Sequence, residues 1–381
     1  MTITRDEVAF GTDIADSKDM MYNSVKKISI LFSLLLFITV SGAFAAPKAA
    51  ELQAQTGLIA EHVKNLNTLA LSFVDISQPI YAIKLQILKE FLNNSESPQL
   101  LLLVSDERDI KNTNALVKQY KPAFDLKKIT YVKAESTFIS SSWIRDFSPV
   151  MVRGKNGELS LVKFNYVNES DYTVDQLSLG KALKLPVKKI DLRLEGGNIL
   201  SDEAGRLFVS TAVVENNLGE NPTLTEFNSK KSEIEKTLLS KLLAREVVWV
   251  PRVKRELEGT GHVDMYLRLL SNGQAVVAES DNRDINNTLD EIAKIVALKG
   301  YKVTRLKANS KIQNKFRNQN VFPSYTNSIL VGKSIFIPQY HVDEDKVAVS
   351  LYRRLGYKVI QIDGESIHFG GSVHCLTYLY P

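Results

Sequence analysis

Four short segments place charged or nucleophilic side chains in apolar or glycine-rich surroundings, where a protein core would not select them. Together they supply a thiol, an imidazole and several carboxylates, which are common nucleophiles, acid/base groups and cation ligands of enzymes. The segments are residues 143–147 (WIRDF), 194–198 (LEGGN), 259–265 (GTGHVDM) and 369–376 (FGGSVHCL).

The only cysteine of the chain, Cys375, follows a glycine pair and cannot form a disulfide within the chain. Backbone amides of a glycine turn and a nearby imidazole both lower the pKa of a thiol. A buried structural cysteine is the alternative explanation from the count alone. Consecutive residues on a strand face opposite ways, so His374 is the weaker partner for the thiol and His262 the stronger one.

His262 and Asp264 are two residues apart at the start of an apolar run. On a strand, such residues point to the same face, so an acid/base group would lie beside an anion that binds substrate. The pair could also be half of a metal site. Since no cluster of further histidines or cysteines accompanies it, the sequence predicts no metal and no cofactor.

The two remaining segments each have a structural explanation as well as a functional one. Arg145 and Asp146 could be a surface ion pair beside a buried tryptophan. Glu195 precedes Gly196 and Gly197, and such a glycine pair suits a simple turn as well as the close approach of backbone to a ligand.

Short β-branched runs alternate with amphipathic stretches after residue 50, which predicts a mixed α/β fold without a marked domain boundary. A Ser232/Glu235 capping box is predicted to begin one helix, and Gly332 to turn one hairpin. The run around 207–209 is expected to form a hairpin with the chain that follows it. Strands are predicted at 100–104, 129–132, 159–162, 207–209, 247–250, 275–278, 329–331, 335–337 and 359–362, and helices at 80–92, 110–120, 232–243, 288–298 and 343–355.

Residues 26–46 have the pattern of an export signal, with two lysines, an apolar run of about 15 residues and the small-x-small site Ala43-Phe44-Ala45. The run is shorter than the roughly 20 residues that span a membrane, so no stable membrane anchor is expected after cleavage. We therefore expect a leader and signal at 1–45, a catalytic domain at 46–381, and a periplasmic or secreted protein. Met20 and Met21 are alternative start positions.

The charge of the chain is mildly basic, with 48 Lys and Arg against 43 Asp and Glu. No block of like charges or aromatic interleaving accompanies the basic residues, so no nucleic-acid partner is expected. The sequence leaves open whether copies of the chain form a homo-oligomer.

Taken in this order, the four segments resemble those of the agmatine deiminases and the bacterial peptidyl-arginine deiminase-like enzymes of the pentein superfamily, which modify guanidino groups. The likeness runs from about residue 130 to the end. It implies a single-domain five-bladed α/β propeller of ββαβ units with a central active site. By matching position, it implies a catalytic set of Asp146, Glu195, His262, Asp264 and Cys375.

The same resemblance implies that Asn327, in the segment 323–327 (PSYTN), lies near the substrate and that Trp143 walls the pocket. Asp146, Glu195 and Asp264 would bind a guanidinium cation, whose N–H fork suits carboxylates. Cys375 would then attack the guanidino carbon, and His262 would serve as acid and base.

A small guanidine such as agmatine is the favoured substrate, giving N-carbamoylputrescine and ammonia. Relatives that act on terminal arginine clamp its carboxylate with arginines, whereas the matching segment 164–172 (FNYVNESDY) contains two acids and no arginine. An arginine-containing peptide is the alternative, since export suits it better. Three other hypotheses stay open: an amidinotransferase of the same fold, a non-catalytic guanidine- or peptide-binding module, and a papain-like protease.

Overall fold

The computed structural model describes residues 56–62, 66–74, 80–134, 142–166, 173–254, 257–308 and 321–381. The predicted leader and signal peptide at 1–45 lie outside the described residues, as do residues 46–55 of the predicted catalytic domain and residues 167–172 of the predicted clamp segment. Within the described ranges, no helix is both long and apolar enough to cross a membrane.

Strands and helices alternate along the described chain. The strands are β1 (Gly57–Leu58), β2 (Thr68–Ser72), β3 (Gln99–Val104), β4 (Ile129–Lys133), β5 (Val150–Arg153), β6 (Leu159–Asn165), β7 (Val187–Arg193), β8 (Ile199–Ser201), β9 (Arg206–Ser210), β10 (Glu246–Val250), β11 (Leu267–Leu270), β12 (Gln274–Glu279), β13 (Lys302–Lys307), β14 (Ile329–Val331), β15 (Ser334–Gln339), β16 (Lys358–Asp363) and β17 (Tyr378–Tyr380). The α-helices are α1 (Ile80–Asn94), α2 (Glu107–Tyr120), α3 (Ile144–Phe147), α4 (Thr173–Ala182), α5 (Ala212–Asn216), α6 (Leu224–Lys241), α7 (Arg283–Leu298) and α8 (Glu344–Arg354).

The strands form five separate sheets, four of which share one connection pattern. In one of them, β11 pairs antiparallel with β12, and β12 pairs parallel with β13 after the chain crosses over through α7. A parallel pair needs such a crossover, whereas an antiparallel pair is joined by a short turn. Three other sheets repeat the pattern with α4, α6 and α8 as crossover helices. The strand–strand–helix–strand unit therefore recurs along the chain.

The fifth sheet joins the two ends of the described chain. C-terminal β17 pairs antiparallel with β2, with Tyr378 opposite Ala70, and β2 then pairs parallel with β3. The sheet ends in β4, parallel to β3. Because β17 follows Cys375 directly, this pairing fixes the position of the cysteine segment against strands from the start of the chain.

Helix α7 illustrates how the crossover helices are held. Its buried residues Ile285, Leu289, Ile292 and Val296 recur at helical spacing along one face, and they belong to the same apolar cluster as β12. The side chain of Asn282 accepts hydrogen bonds from the backbone amides of the first turn and caps the helix. Burying each large apolar side chain contributes about 1.5–3 kcal/mol.

Two local predictions are wrong. The capping box of α6 is formed by Thr223 and Glu226, not by Ser232 and Glu235. Ser232 lies in the middle of the helix with its hydroxyl donating to the Asn228 carbonyl, while Glu235 accepts from the indole of Trp249. The second wrong prediction is the hairpin between β9 and the chain that follows it. The hairpin partner of β9 is the preceding strand β8, and the following chain returns as the parallel neighbour β10.

The Gly332 hairpin is confirmed. Val331 of β14 lies opposite Ser334 of β15, and Gly332 in the turn has a φ of 58°, which glycine adopts without steric cost. All nine predicted apolar runs lie within strands, although most strands extend one or more residues further than the apolar run.

Candidate active site

The thiol of Cys375 is enclosed in the turn that precedes β17. The residue is only 2% exposed. The Asn327 side-chain amide donates to Sγ at 3.2 Å, and Sγ lies 3.9 Å from Oδ2 of Asp264. Burial raises the pKa of the Cys375 thiol to about 12, with a further contribution from Asp264 that outweighs the lowering effect of a hydrogen bond with His262.

Gly371 shows how closely the cysteine turn is packed. A Cβ atom at this position would lie 2.7 Å from the ring of Trp143, 2.7 Å from Cβ of Cys375 and 3.0 Å from its sulfur. Only glycine fits such a space. The half-buried Trp143 ring and the sulfur therefore border the same small volume, as the resemblance implied for a pocket wall.

His262 lies among two carboxylates and the thiol. Its Nε2 is 2.7 Å from Oε2 of Glu195, and its Nδ1 is 3.6 Å from Oδ1 of Asp146. Burial lowers the pKa of His262, but Asp146, the Cys375 thiol and Glu195 together raise it well above its ordinary value. The imidazole is therefore charged at neutral pH and can act as a proton donor.

The glycine pair at 196–197 brings these groups together. It begins a short 3₁₀ turn, and a Cβ at Gly197 would lie 2.3 Å from Nδ1 of His262 and 3.1 Å from Oδ1 of Asp146. The turn explanation is therefore confirmed, and the turn packs against His262 and Asp146.

The prediction of a surface ion pair between Arg145 and Asp146 is wrong. Arg145 is 3% exposed and forms an ion pair with Glu61, and its guanidinium lies 4.3 Å above the ring of Tyr378. Asp146 faces His262 from α3. Burial raises the pKa of Asp146 to about 7; His262 opposes the shift, and the negative charges of Glu195 and Asp264 add to it.

The expected strand geometry at His262 and Asp264 is also wrong. His262 is the N-cap residue of a 3₁₀ turn, Val263–Met265, and β11 begins only after it. Both side chains still lie beside the thiol, since Oδ2 of Asp264 is 3.9 Å from Sγ and His262 forms a hydrogen bond with Cys375. Glu258 holds the preceding loop by accepting from the backbone amides of Thr260 and Gly261.

His374 has a role that the sequence did not indicate. It lies in a turn rather than on a strand, so the alternation argument does not apply to it. Its Nδ1 is 2.5 Å from Oδ2 of Asp264, and its Nε2 is 2.7 Å from Oε2 of Glu61. Glu61 also accepts from Arg268 Nη1 at 3.0 Å. Sequence reasoning missed both Glu61 and Arg268, since nothing around either of them marks a site.

The structure thus places every predicted site residue in one connected cluster of buried or nearly buried side chains. Within the described parts of the chain, no group of three or more His, Cys, Asp or Glu side chains is arranged to hold a metal ion. The members predicted from the sequence are Trp143, Asp146, Glu195, His262, Asp264, Asn327 and Cys375.

The chain belongs to the Porphyromonas-type peptidyl-arginine deiminase family, whose model matches residues 50–381. The family resemblance inferred from the four segments is therefore confirmed. Among curated relatives, the agmatine deiminase of Pseudomonas aeruginosa (strain LESB58) is 24% identical over 279 residues, which cover 63% of this chain and 74% of the relative.

Two solved structures have the same fold. One is the agmatine deiminase of C. jejuni, in a cysteine-to-serine variant with substrate bound; its TM-score is 0.68 at 19% identity, covering 87% of this chain and 98% of that one. The other is the agmatine deiminase of Enterococcus faecalis, with a TM-score of 0.68 at 16% identity, covering 86% and 96%. The mixed α/β fold expected from the sequence is confirmed.

Replacing Gly371 by alanine tests the packing of the cysteine turn. The added methyl group has to displace the Trp143 ring or the cysteine, and a shift of about 1 Å at a reacting group costs about 100-fold in rate. We expect kcat/KM for deimination of a guanidino substrate to fall by that factor. Gly219→Ala is the matched control, because a Cβ there has no neighbour within 4 Å. Equal activity of the two variants would contradict the close packing.

Proposed function

We propose that this protein hydrolyses a guanidino group to a ureido group and ammonia through a covalent intermediate on Cys375. The observation that carries the proposal is the convergence of a thiol, a charged imidazole and three carboxylates in one enclosed site. Family membership supports it independently, as do the names of the relatives, several of which are agmatine deiminases.

Two buried carboxylate oxygens support a cationic substrate. Among the described residues, neither Oδ1 of Asp146 nor Oδ1 of Asp264 has a hydrogen-bond donor. A buried acceptor without a donor costs about 1–3 kcal/mol, more when it is charged. An alkylguanidinium carries five N–H donors in one plane and can donate hydrogen bonds to two such oxygens at once. The site is therefore suited to a planar cation.

The first half of the reaction splits the guanidino group. When the cation binds, it offsets the negative charges of Asp264 and Asp146, which lowers the thiol pKa and releases the thiol proton to solvent. The thiolate then bonds to the central carbon. His262 donates its proton to one nitrogen, which leaves as ammonia, and a positively charged amidino-thioether remains on Cys375.

The second half restores the enzyme. His262, now neutral, takes a proton from a water molecule, and the hydroxide bonds to the same carbon. The carbon–sulfur bond breaks, the thiolate leaves, and the hydroxyl proton is taken up by the released ammonia. The products are a ureido compound and ammonium, His262 again carries its proton, and Cys375 regains from solvent the proton that it released when the substrate bound.

Agmatine is the substrate we favour. The relatives named above are agmatine deiminases, and the acidic residues predicted near the substrate tail suit an amine better than a carboxylate. Peptidyl-arginine is the second candidate, because the matching family bears that name and because the predicted export suits an external peptide. An amidinotransferase would share the first half-reaction and differ only in the acceptor.

We further propose that the five sheets are the blades of a propeller whose central channel holds the site. The recurring strand–strand–helix–strand unit and the pairing of β17 with β2 support it, since that pairing closes the series of sheets. Assembly as a homo-oligomer stays an open prediction.

We propose in addition that the enzyme is exported, as residues 26–46 predict. A mature protein that begins at Ala46 in a periplasmic or culture fraction would support export, whereas an intact N-terminus on the active enzyme would refute it.

Cys375→Ser should reduce ureido formation by about 1,000-fold or more, because a hydroxyl in this site cannot replace the nucleophilic thiol. Agmatine, free arginine, and peptides with internal or terminal arginine form the substrate panel, and ammonia and ureido product are both measured. A retained thermal unfolding midpoint shows that the fold is intact. Unchanged turnover in this variant would refute the assignment of the nucleophile.

Substrate binding should strengthen as pH rises through about 7, because protonated Asp146 has no charge to attract the cation. With Cys375→Ser as the inactive background, we expect Kd for agmatine to fall about tenfold per pH unit below that point and to level off above it. The added substitution Asp146→Asn should make binding weak and remove this dependence. Calorimetry from pH 5.5 to about 8.5 measures both. A pH-dependent Kd that survives Asp146→Asn would show that another group controls binding.

A further inference from the structure

Glu61 connects the N-terminal segment to the active site. It lies between β1 and β2, far in sequence from the four motif segments, and its side chain is 18% exposed. Three basic side chains converge on it. Arg145 pairs with Oε1, whereas Arg268 at 3.0 Å and His374 at 2.7 Å both donate to Oε2. Burial raises the pKa of Glu61, but Arg145, His374 and Arg268 together hold it well below its usual range, so the side chain is a carboxylate at neutral pH.

The fully buried ring of His374 lies between two acids. Its Nδ1 is 2.5 Å from Asp264 and its Nε2 is 2.7 Å from Glu61. A carboxylate only accepts hydrogen bonds, and a neutral imidazole donates from one nitrogen alone. With both acids ionised, both contacts are hydrogen bonds only if the ring donates from both nitrogens, that is, if it carries a positive charge.

The charged groups around His374 favour a protonated ring. The groups that face His374 are Asp264 from the 3₁₀ turn and Glu61 from the N-terminal segment, and behind Glu61 lie Arg145 and Arg268. The backbone carbonyl of His374 itself faces Nε of Arg145 at 3.5 Å. A charged His374 ring therefore has an anion on each side, and the second anion is itself paired with two guanidinium groups.

This chain of contacts determines which oxygen of Asp264 is free. His374 holds Oδ2, and Oδ1 has no hydrogen-bond donor among the described residues. The free oxygen is the one that the proposed guanidinium would need. If Glu61 lost its charge, a neutral ring with a single proton would suffice, and nothing would keep that proton on the side of Asp264.

We propose that Glu61 is a positioning residue of the deiminase, which holds His374 as a double hydrogen-bond donor and thereby fixes Asp264 with one oxygen directed at the substrate. The N-terminal segment that carries Glu61 is then part of the catalytic apparatus. The expected effect of Glu61 on kcat rests on the proposed function, whereas the protonation of the His374 ring does not.

Glu61→Gln keeps the shape of the side chain and removes its charge. We expect kcat to fall about 10- to 100-fold, because Asp264 loses its fixed orientation. His374→Gln should cost a similar factor, and the double variant should cost no more than either single one, since both act through Asp264. The control is Glu246→Gln, which removes an ion pair with Lys299 away from the site. Unchanged kcat in Glu61→Gln, or full additivity with His374→Gln, would overturn the proposal.

Nitrogen NMR of ¹⁵N-histidine-labelled protein tests the ring directly and needs no substrate. His374→Gln identifies the signals of His374 by their loss. We expect both ring nitrogens to carry protons at pH 7 in the unaltered protein and only one in Glu61→Gln. A neutral His374 ring in the unaltered protein would overturn the proposal even if the substitution prevents folding. If no substrate is turned over while the ring is doubly protonated, the proposed function fails and the charge arrangement stands.

Discussion

The burial of several carboxylates around one thiol is the constraint on which the site depends. Removing a charge from water costs several kcal/mol unless a partner of opposite charge lies nearby. Asp146 and Glu195 have the imidazole of His262 between them, and Asp264 contacts the imidazole of His374, but one oxygen of Asp146 and one of Asp264 still lack donors. Burial keeps the pKa of the thiol high in the substrate-free site, and the charges of Asp264 and Asp146 add to this effect. We infer that a bound substrate cation neutralises these carboxylates. The same cation lowers the pKa of the Cys375 thiol and so activates the nucleophile.

The fold brings the carboxylates and the thiol together by forming the site from connections between strands that are distant in sequence. Asp146 lies on the short helix before β5, Glu195 follows β7, and Asp264 precedes β11. Cys375 reaches the same place because β17 pairs with β2. These segments adjoin three different sheets, so the position of each side chain depends on strands that are far apart in the chain. The fold therefore holds like charges close together that would otherwise separate.

The sequence was sufficient for the parts of the site that a short motif marks, and the reasons are local. Gly197 and Gly371 stand beside site side chains with which a Cβ atom would collide, so the glycine pairs mark the site directly. Glu61 has no such neighbour in sequence, and its partners Arg268 and His374 lie 207 and 313 residues away. Only the pairing of the two chain ends brings them together, which no local pattern predicts. The error at His262 arose because a strand was inferred from spacing where the chain forms a 3₁₀ turn. The error at Ser232 was a local one, since Thr223 and Glu226 have the same spacing and form the actual capping box.

The central claim is that Cys375 bonds to the guanidino carbon during turnover. The most direct measurement is mass spectrometry of the enzyme denatured rapidly in acid while it turns over agmatine. The account predicts a peptide containing Cys375 that is heavier by the mass of the substrate less one ammonia. Turnover at full rate with this peptide unmodified, or with the added mass on another residue, would contradict it.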